Sequence, residues 1–458
     1  MSAASTLALA LLASAAHAAL AQEAPTGETL AIDLATALRL ADERNLDVAI
    51  YLERVVEADA KLSQARALAI PTLRVGGSYN RHHGNLQETS GNVVDADRAA
   101  RYRGLGAGAV GAGDLQAPGV AFGVDLADAI FQPLVARQNL AAVRAAGIAN
   151  RHEVLLDVAT AYLRLLEARS ERSIVLAAAE RARDLATLTA NYAESGEGLL
   201  ADAEMAAVQP ILWEQRELAL GERTATAEAE LARLLHLDVD VRLDPLEADV
   251  PSLELVATNE DVAALAARAL ESRPEAEQLD ALVAAAESDA RAQRYGWFIP
   301  NVAFGYSSGQ FGGGPGSTIA ATGHRDDLGL QFYWQLDALG IGNRARTTER
   351  EARFREVALE RDKLRDSIVA EVRSGYATVQ SLRAQLGLAD RAVERASEAY
   401  ELHRERIFDQ QGLPLEAMQA MQTLATAELT RLGLRVSYSV AQLRLHTALG
   451  NPANSGPR

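Results

Sequence analysis

Residues 63–73 read SQARALAIPTL, and residues 294–302 read RYGWFIPNV. In each stretch a helical pattern stops at a proline and gives way to alternating apolar and polar residues, which is typical of a β-strand. A residue that precedes a proline is displaced from the α-helical region, so each helix is predicted to end there. Pro71 and Pro300 are 229 residues apart, and a glycine and a serine follow each of them at the same spacing. The chain therefore carries the same helix–proline–strand unit twice.

A second pair of matching blocks, 214 residues apart, extends this duplication. Tyr162 and Gly198 in the first block correspond to Tyr376 and Gly412 in the second. The period is far too long for a solenoid repeat, so it indicates two halves of one fold. The predicted divisions are a signal peptide at 1–21, a first repeat at 22–236, a linker at 237–258, a second repeat at 259–450 and a disordered C-terminal tail at 451–458.

Each half is predicted to contain two β-strands between helices. The predicted strands are 72–81 and 119–129 in the first half, and 300–308 and 327–337 in the second. A glycine-rich stretch at 82–117 is predicted to be a long loop, and a single helix is predicted over 32–69. Long helical patterns follow each strand pair and reverse at predicted turns, 194–198 and 409–414. The helix from about 132 to 192 would be roughly 90 Å long.

The composition excludes several classes of function. The 458 residues contain no cysteine, which excludes disulfides and thiolate metal sites. Acidic residues outnumber basic ones by 62 to 45, for a net charge of −17, and this argues against a nucleic-acid partner. The small apolar run near the N-terminus ends in patterns typical of signal-peptide cleavage after Ala18 or Ala21. No later run reaches the length of a transmembrane helix, so any membrane insertion must use strands.

The number of strands and the length of the helices predict an assembly of several copies. Four strands cannot close a barrel, and lipid tolerates no open sheet edge. Two copies would supply about eight strands, whose interior fills with side chains, whereas three would supply about twelve and leave a lumen. Long helices likewise bury their apolar stripes only against neighbours in a coiled-coil-like tube. The predicted fold is mainly α-helical with membrane β-strands and internally duplicated, with four strands and long coiled-coil-like helices per chain, closed as a trimer.

The order of these features resembles the TolC-like outer-membrane efflux protein family, whose members are also called outer membrane factors. The paired helix–proline–strand units carry the resemblance, together with the strand-to-helix junctions at 130–134 and 334–344 and the two glycine turns. The resemblance implies a TolC-type α/β-barrel, a homotrimer in the cell outer membrane with a large periplasmic portion. It also implies the channel subunit of a tripartite efflux or type I secretion system. Such a subunit conducts solutes passively from periplasm to exterior, with a periplasmic adaptor protein and an inner-membrane pump as partners.

Three sets of candidate functional residues follow. In that family an acidic residue after the second coiled-coil turn narrows the periplasmic entrance, and the matching residue here is Glu416. The entrance candidates are Glu416, its first-half counterpart Asp202, Gln419 and Asp409. The adaptor-contact candidates in the turns are Gly198, Leu199, Gly412 and Leu413. The candidates for contact with outer-membrane lipid are Leu73, Val75, Phe122, Val124, Phe304, Tyr306, Leu330, Phe332 and Trp334.

Plainer interpretations remain open. Glu416 and Asp202 also suit ordinary first-turn carboxylates, which the helix dipole favours, and the turns also suit simple exposed connections. Since no nucleophile, metal-ligand cluster or supported pair of carboxylates is found, neither an enzyme nor a cofactor is predicted. Two other functions remain. A periplasmic adaptor that bridges pump and channel should have one helical hairpin rather than a duplicated set. A soluble coiled-coil structural protein should lack the signal peptide and the alternating strands.

Overall fold

The computed structural model describes most of the chain, in two compact units. The described residues are 29–70, 72–73, 75–105, 120–196, 198–238, 240–316, 318–334, 337–408 and 413–455. One unit contains the described residues up to Glu53, Ala145–Ala276 and the described residues from Lys363 onward. The other contains Arg54–Arg144 and Glu277–Asp362, without the gaps given above. The predicted signal peptide at 1–21 lies outside the described residues.

The described helices come in two matching sets. The first set is α1 Leu34–Arg44, α2 Leu46–Ala67, α3 Leu126–Glu194 and α4 Leu200–Leu234. The second set is α5 Val262–Ser272, α6 Pro274–Tyr295, α7 Ile341–Phe408 and α8 Pro414–Ala448. Corresponding helices have 11 and 11, 22 and 22, 69 and 68, and 35 and 35 residues. The order and the lengths of the helices therefore repeat along the chain. None of the described helices has an apolar stretch long enough to span a lipid bilayer.

The single helix predicted over 32–69 is instead two helices separated by Asn45. The backbone of Asn45 is extended (φ −67°, ψ 128°), and its N–H donates to the carbonyl of Ala41 at 3.0 Å, which ends α1. Its Oδ1 accepts from the N–H of Asp47 at 2.8 Å and so caps α2, while its Nδ2 donates to the carbonyl of Leu234 at 3.0 Å. Asparagine favours such a capping position. The continuous helical composition on both sides of it conceals the break.

The strands form two sheets. In chain order they are β1 Thr29–Ile32, β2 Thr72–Leu73, β3 Val75–Gln87, β4 Val93–Leu105, β5 Val120–Asp125, β6 Arg242–Pro245, β7 Asn301–Pro315 and β8 Ala321–Tyr333. β1 and β6 pair in parallel as a two-stranded sheet, and the other six form one antiparallel sheet. The predicted linker at 237–258 therefore contains a strand, which is too short for its periodicity to show in the sequence.

The six antiparallel segments occupy four rows. β2 and β3 form the first row and pair with β5 and β4, respectively. β5 and β4 pair with successive stretches of the same edge of β7, at 301–306 and 308–315, so they share the second row. β7 is the third row, and β8 pairs along its other edge as the fourth. Four rows correspond to the four predicted strands, although the bounds differ.

The predicted loop at 82–117 is wrong for residues 82–87 and 93–105, which form strands. Residues 88–92 are the turn between them, and residues 106–117 lie outside the described residues. β3 continues to Gln87, and the 13 residues of β4 pair along its whole length. Residues 93–105 read VVDADRAARYRGL, which places charged residues on both faces of the strand. Such a strand is held by its backbone ladder and lacks the apolar alternation that sequence reasoning detects. The other predicted strands, 119–129, 300–308 and 327–337, are observed as β5, β7 and β8 with shifted ends.

The C-terminal tail was predicted to be disordered from residue 451, and this is wrong for residues 451–455. The N–H of Asn451 donates to the carbonyl of His446 at 3.3 Å. Ala453 is buried, and the Oγ of Ser455 lies 2.9 Å from the Nε2 of His446. The chain therefore folds back on the end of α8 before it reaches residues 456–458, which lie outside the described residues.

Two corresponding tyrosines tie the long helices to the segments beside them. Tyr162 in α3 is fully buried, and its hydroxyl lies against the Glu247 carboxylate and 3.1 Å from the carbonyl of Ile32. Burial, together with the nearby carboxylate, raises the pKa of Tyr162, so the hydroxyl keeps its proton and acts as a donor. Its counterpart Tyr376 in α7 donates to the carbonyl of Thr258 at 2.6 Å. These contacts hold the end of β1 and the irregular segment at Thr258 against the helices in the same unit.

Replacing Tyr162 with phenylalanine should destabilise this unit, because buried acceptors would lose their donor at a cost of about 1–3 kcal/mol. The midpoint of thermal unfolding, followed by circular dichroism on the purified full-length protein, should fall. Tyr295→Phe is the control, since that side chain is 51% exposed and should leave the midpoint unchanged. Equal midpoints for Tyr162→Phe and the wild type would contradict a stabilising role for this hydroxyl.

Candidate functional site

The register of the antiparallel sheet aligns apolar residues from both halves of the chain on one face. Residues directly opposite each other in neighbouring antiparallel strands lie on the same face. Three successive sets of residues lie opposite one another across β5, β7 and β8. They are Val124–Val302–Phe332, Phe122–Phe304–Leu330 and Val120–Tyr306–Leu328. These nine positions are called the apolar band. In the fourth row, Leu328, Leu330 and Phe332 are 72%, 59% and 60% exposed.

The remaining candidates for lipid contact extend the same face. Leu73 pairs with Val120, and Val75 pairs with Leu105, which lies opposite Ser308 two residues beyond Tyr306. Trp334 follows β8 directly and is 58% exposed. The register therefore places every candidate within a strand, from Leu73 to Phe332, on one face. Contact between this face and lipid itself stays a prediction.

The opposite face of the sheet is small and polar. The residues that alternate with the apolar band along the same three strands are Asp125, Gly123 and Ala121 in β5, Asn301, Ala303 and Gly305 in β7, and Tyr333, Gln331 and Gly329 in β8. Farther along β8, Arg325 and Asp327 lie on this face and form an ion pair at 2.8 Å. Over the stretch of β5, β7 and β8 that carries the apolar band, the sheet thus has one apolar face and one face of mainly small or polar residues.

The second candidate region is formed by the turns at the ends of the long helices. The Tyr192 hydroxyl at the end of α3 donates to the carbonyl of Ile407 at the end of α7, at 2.7 Å. Below this bond, Leu185, Ala206 and Met418 belong to one buried cluster with Ile407. Residues from the ends of α3, α4, α7 and α8 that flank the two turns therefore pack together.

The first turn is closed by glycines and exposes leucines. Gly196 has a positive φ of 83°, which favours glycine. The N–H of Gly198 donates to the carbonyl of Tyr192 at 2.9 Å, and a Cβ at Gly198 would meet Tyr192 atoms at 3.1 and 3.2 Å. Leu199 and Leu200, which follow, are 68% and 71% exposed. Leu413 is similarly exposed in the second turn, and Gly412 lies outside the described residues.

The two predicted entrance acids occupy equivalent positions. Asp202 lies in the first helical turn of α4, and Glu416 lies in that of α8. The backbone N–H of Asp202 donates to the carbonyl of Leu199, and that of Glu416 donates to the carbonyl of Leu413, both at 3.1 Å. Their surroundings differ. Glu416 Oε2 lies 3.4 Å from the Arg406 guanidinium and 3.4 Å from His403 Nδ1. Asp202 has no ion-pair partner in the described part of the chain.

Two other outcomes concern the predicted entrance. Gln419 lies nearly one helical turn beyond Glu416 and is exposed, whereas Asp409 lies outside the described residues. Sequence reasoning missed His403 and Arg406. Because α7 and α8 run antiparallel from one short turn, residues at similar distances on its two sides face each other, and counting from the turn could have found them. No group of three or more His, Asp or Glu side chains among the described residues is placed to hold a metal ion.

Comparisons with known proteins bear on both the sequence and the fold. Residues 265–451 match the sequence model of the outer membrane efflux protein family. No curated protein matches the sequence. The fold is similar to the outer-membrane channel OprN (18% identity, TM-score 0.77, 92% of this chain and 91% of that one). It is also similar to CusC (19%, 0.75, 94% and 96%) and to VceC of Vibrio cholerae (18%, 0.73, 91% and 96%). The match of residues 265–451 to the family's sequence model, together with a fold similar to outer-membrane channels over more than nine-tenths of the chain, confirms the predicted resemblance to the TolC-like outer-membrane efflux protein family.

Proposed function

We propose that this chain is the subunit of a trimeric outer-membrane channel that conducts solutes passively from the periplasm to the exterior. The observation that carries the proposal is the separation of the sheet into an apolar face and a polar face. A wall with lipid on one side and water on the other requires such strands, as in outer-membrane barrels. The apolar band and its extensions are then the lipid-facing surface, and the small polar face lines the lumen.

Closure of the sheet supports three copies. Within the described residues, the outer edge of the β3 row and the outer edge of β8 have no paired strand. Lipid tolerates no open edge, so neighbouring copies must supply the missing partners. Four rows per chain make about eight rows in a dimer, which side chains fill, and about twelve in a trimer, which leaves a lumen.

The turns support a role at the periplasmic end. Leu199, Leu200 and Leu413 expose apolar side chains where α4 and α8 begin, and such surfaces suit contact with another protein. We assign this surface to a periplasmic adaptor, which would link the channel to an inner-membrane pump in a tripartite efflux or type I secretion system. Asp202 and Glu416 lie beside it and would ring the entrance with carboxylates. A periplasmic adaptor or a soluble coiled coil accounts for neither the two hairpins together nor the two-faced sheet.

The first test of this proposal is fractionation of membranes from expressing cells, followed by a denaturing gel with heated and unheated samples. The protein should be in the outer-membrane fraction, with an unheated band near three times the 48.8 kDa of the chain that collapses on boiling. A soluble periplasmic monomer, or a monomer in the inner membrane, would overturn the proposal.

Leu330→Arg and Gln331→Arg test the assignment of the two faces at neighbouring positions. An arginine on the lipid side costs about 2–4 kcal/mol near the bilayer midplane, whereas a lumen position accepts it. Leu330→Arg should lower the amount of protein in the outer membrane, and Gln331→Arg should leave it close to the wild-type amount. The measurement is an immunoblot of the outer-membrane fraction. Equal effects of the two substitutions would show that the faces are assigned wrongly.

The double variant Asp202→Asn, Glu416→Gln tests the acidic entrance. Carboxylates around a pore attract cations and repel anions, most strongly at low salt. The ratio of cation to anion permeability, measured in planar bilayers, should fall in the double variant, and the difference should shrink as salt is raised. Glu349→Gln, Glu360→Gln removes two exposed acids of α7 far along the chain from the turns and is the charge-matched control. An unchanged permeability ratio in the Asp202→Asn, Glu416→Gln variant would show that these two acids do not lie at the entrance.

A further inference from the structure

Two exposed arginines lie on the apolar face of the sheet, beyond the apolar band. Arg103 in β4 lies opposite Gly77 in β3 and Gln310 in β7, and Arg101 lies opposite Tyr79 and Gly312. Because side chains alternate along a strand, both positions share the face of Leu105 and of the apolar band. Both arginines are exposed, and neither has an ion-pair or hydrogen-bond partner among the described residues.

The register places these arginines where the apolar surface ends. Along β7, the apolar band ends at Tyr306. The next residue of β7 on that face is Ser308, which lies opposite Leu105, and the one after it is Gln310, which lies opposite Arg103. At about 3.4 Å per residue, the stretch of β7 from Val302 to Ser308, which lies opposite Leu105, is about 20 Å long. This is close to the roughly 25 Å height of the outward apolar surface of membrane barrels. Arg103 then lies about 7 Å beyond it.

Other charged groups on this part of the face already have partners. Asp326 lies 3.1 Å from His324, and Asp97 lies 3.6 Å from the Nε of Arg81. Arg101 and Arg103 therefore contribute positive charge that the nearby acids do not engage by direct contact. Tyr79, opposite Arg101, is 57% exposed. A tyrosine at the edge of an apolar surface is typical of the aromatic girdle at headgroup level.

We infer that Arg101 and Arg103 bind phosphate groups of lipids in the outer leaflet. The inference rests on the proposed function. In that function, the end of the sheet that carries Arg101 and Arg103, which is the end far from the start of α3, faces the exterior. Arginine presents several N–H donors that match phosphate geometry. Two arginines about 7 Å apart on one strand face can hold two phosphates, while the adjoining apolar band contacts the acyl chains. The ligand is therefore a lipid phosphate, recognised by charge and by its position beside acyl chains.

The double variant Arg101→Gln, Arg103→Gln tests this inference on the full-length protein purified in detergent. The probes are phosphatidic acid, diacylglycerol with the same acyl chains, and inorganic phosphate, with binding measured by native mass spectrometry. Phosphatidic acid should bind the wild type more tightly than diacylglycerol does, and the double variant should bind it about 10- to 30-fold more weakly. Arg101→Lys, Arg103→Lys keeps the charge and should retain most of the affinity. The loss should also diminish at high salt.

The control is Arg137→Gln, Arg144→Gln. It removes two exposed arginines of α3 in the same unit that have no ion-pair or hydrogen-bond partner among the described residues, and it should bind phosphatidic acid as the wild type does. Unchanged binding by the Arg101, Arg103 variant, or equal binding of both lipids by the wild type, would overturn the inference. Inorganic phosphate bound as tightly as phosphatidic acid would also overturn it, in favour of a free-anion site. Single Arg101→Gln and Arg103→Gln variants serve if the double variant does not fold. If the wild type is in the outer-membrane fraction but does not prefer phosphatidic acid over diacylglycerol, only the lipid-binding inference is wrong. If the wild type is absent from the outer-membrane fraction, the proposed function is wrong.

Discussion

The pairing of β7 with strands from both halves of the chain is the constraint on which the two-faced sheet depends. One edge of β7 meets β5 and β4, and the other edge meets β8. Since side chains alternate along a strand, a slip of one residue would move a whole strand's side chains to the opposite face. Phe304, which lies opposite both Phe122 and Leu330, therefore aligns apolar positions that are about two hundred residues apart in the sequence.

The duplicated halves share their architecture but differ in their contacts. Helix lengths repeat almost residue for residue, and Tyr162 and Tyr376 make similar buried hydrogen bonds. The turns do not repeat in this way. Glu416 lies 3.4 Å from His403 and from Arg406 of α7, whereas Asp202 has no ion-pair partner among the described residues. Exposed ion pairs add little stability. Their effect is on local charge, because Arg406 offsets the charge of Glu416 directly.

Sequence reasoning succeeded where periodicity reports burial and failed where the backbone ladder alone holds a strand. The candidates for lipid contact came from alternating patterns, and the register places those within the strands on one face. Arg101 and Arg103 escaped notice, because they lie in a stretch that reads as a polar loop. Asn45 was also missed, since one capping residue is a weak signal within a long helical composition.

The sequence by itself determined the duplication, the long helices, the four rows of strands and the equivalence of Asp202 with Glu416. These features are local or periodic, and they follow from proline positions, helical composition and apolar alternation. Only the tertiary structure decided the order of the rows, the extension of β3, the existence of β4, the parallel pairing of β1 with β6, and the contacts of Glu416 with His403 and Arg406. The reason is physical: pairing between distant strands and helices is set by backbone hydrogen bonds and packing that no local pattern records.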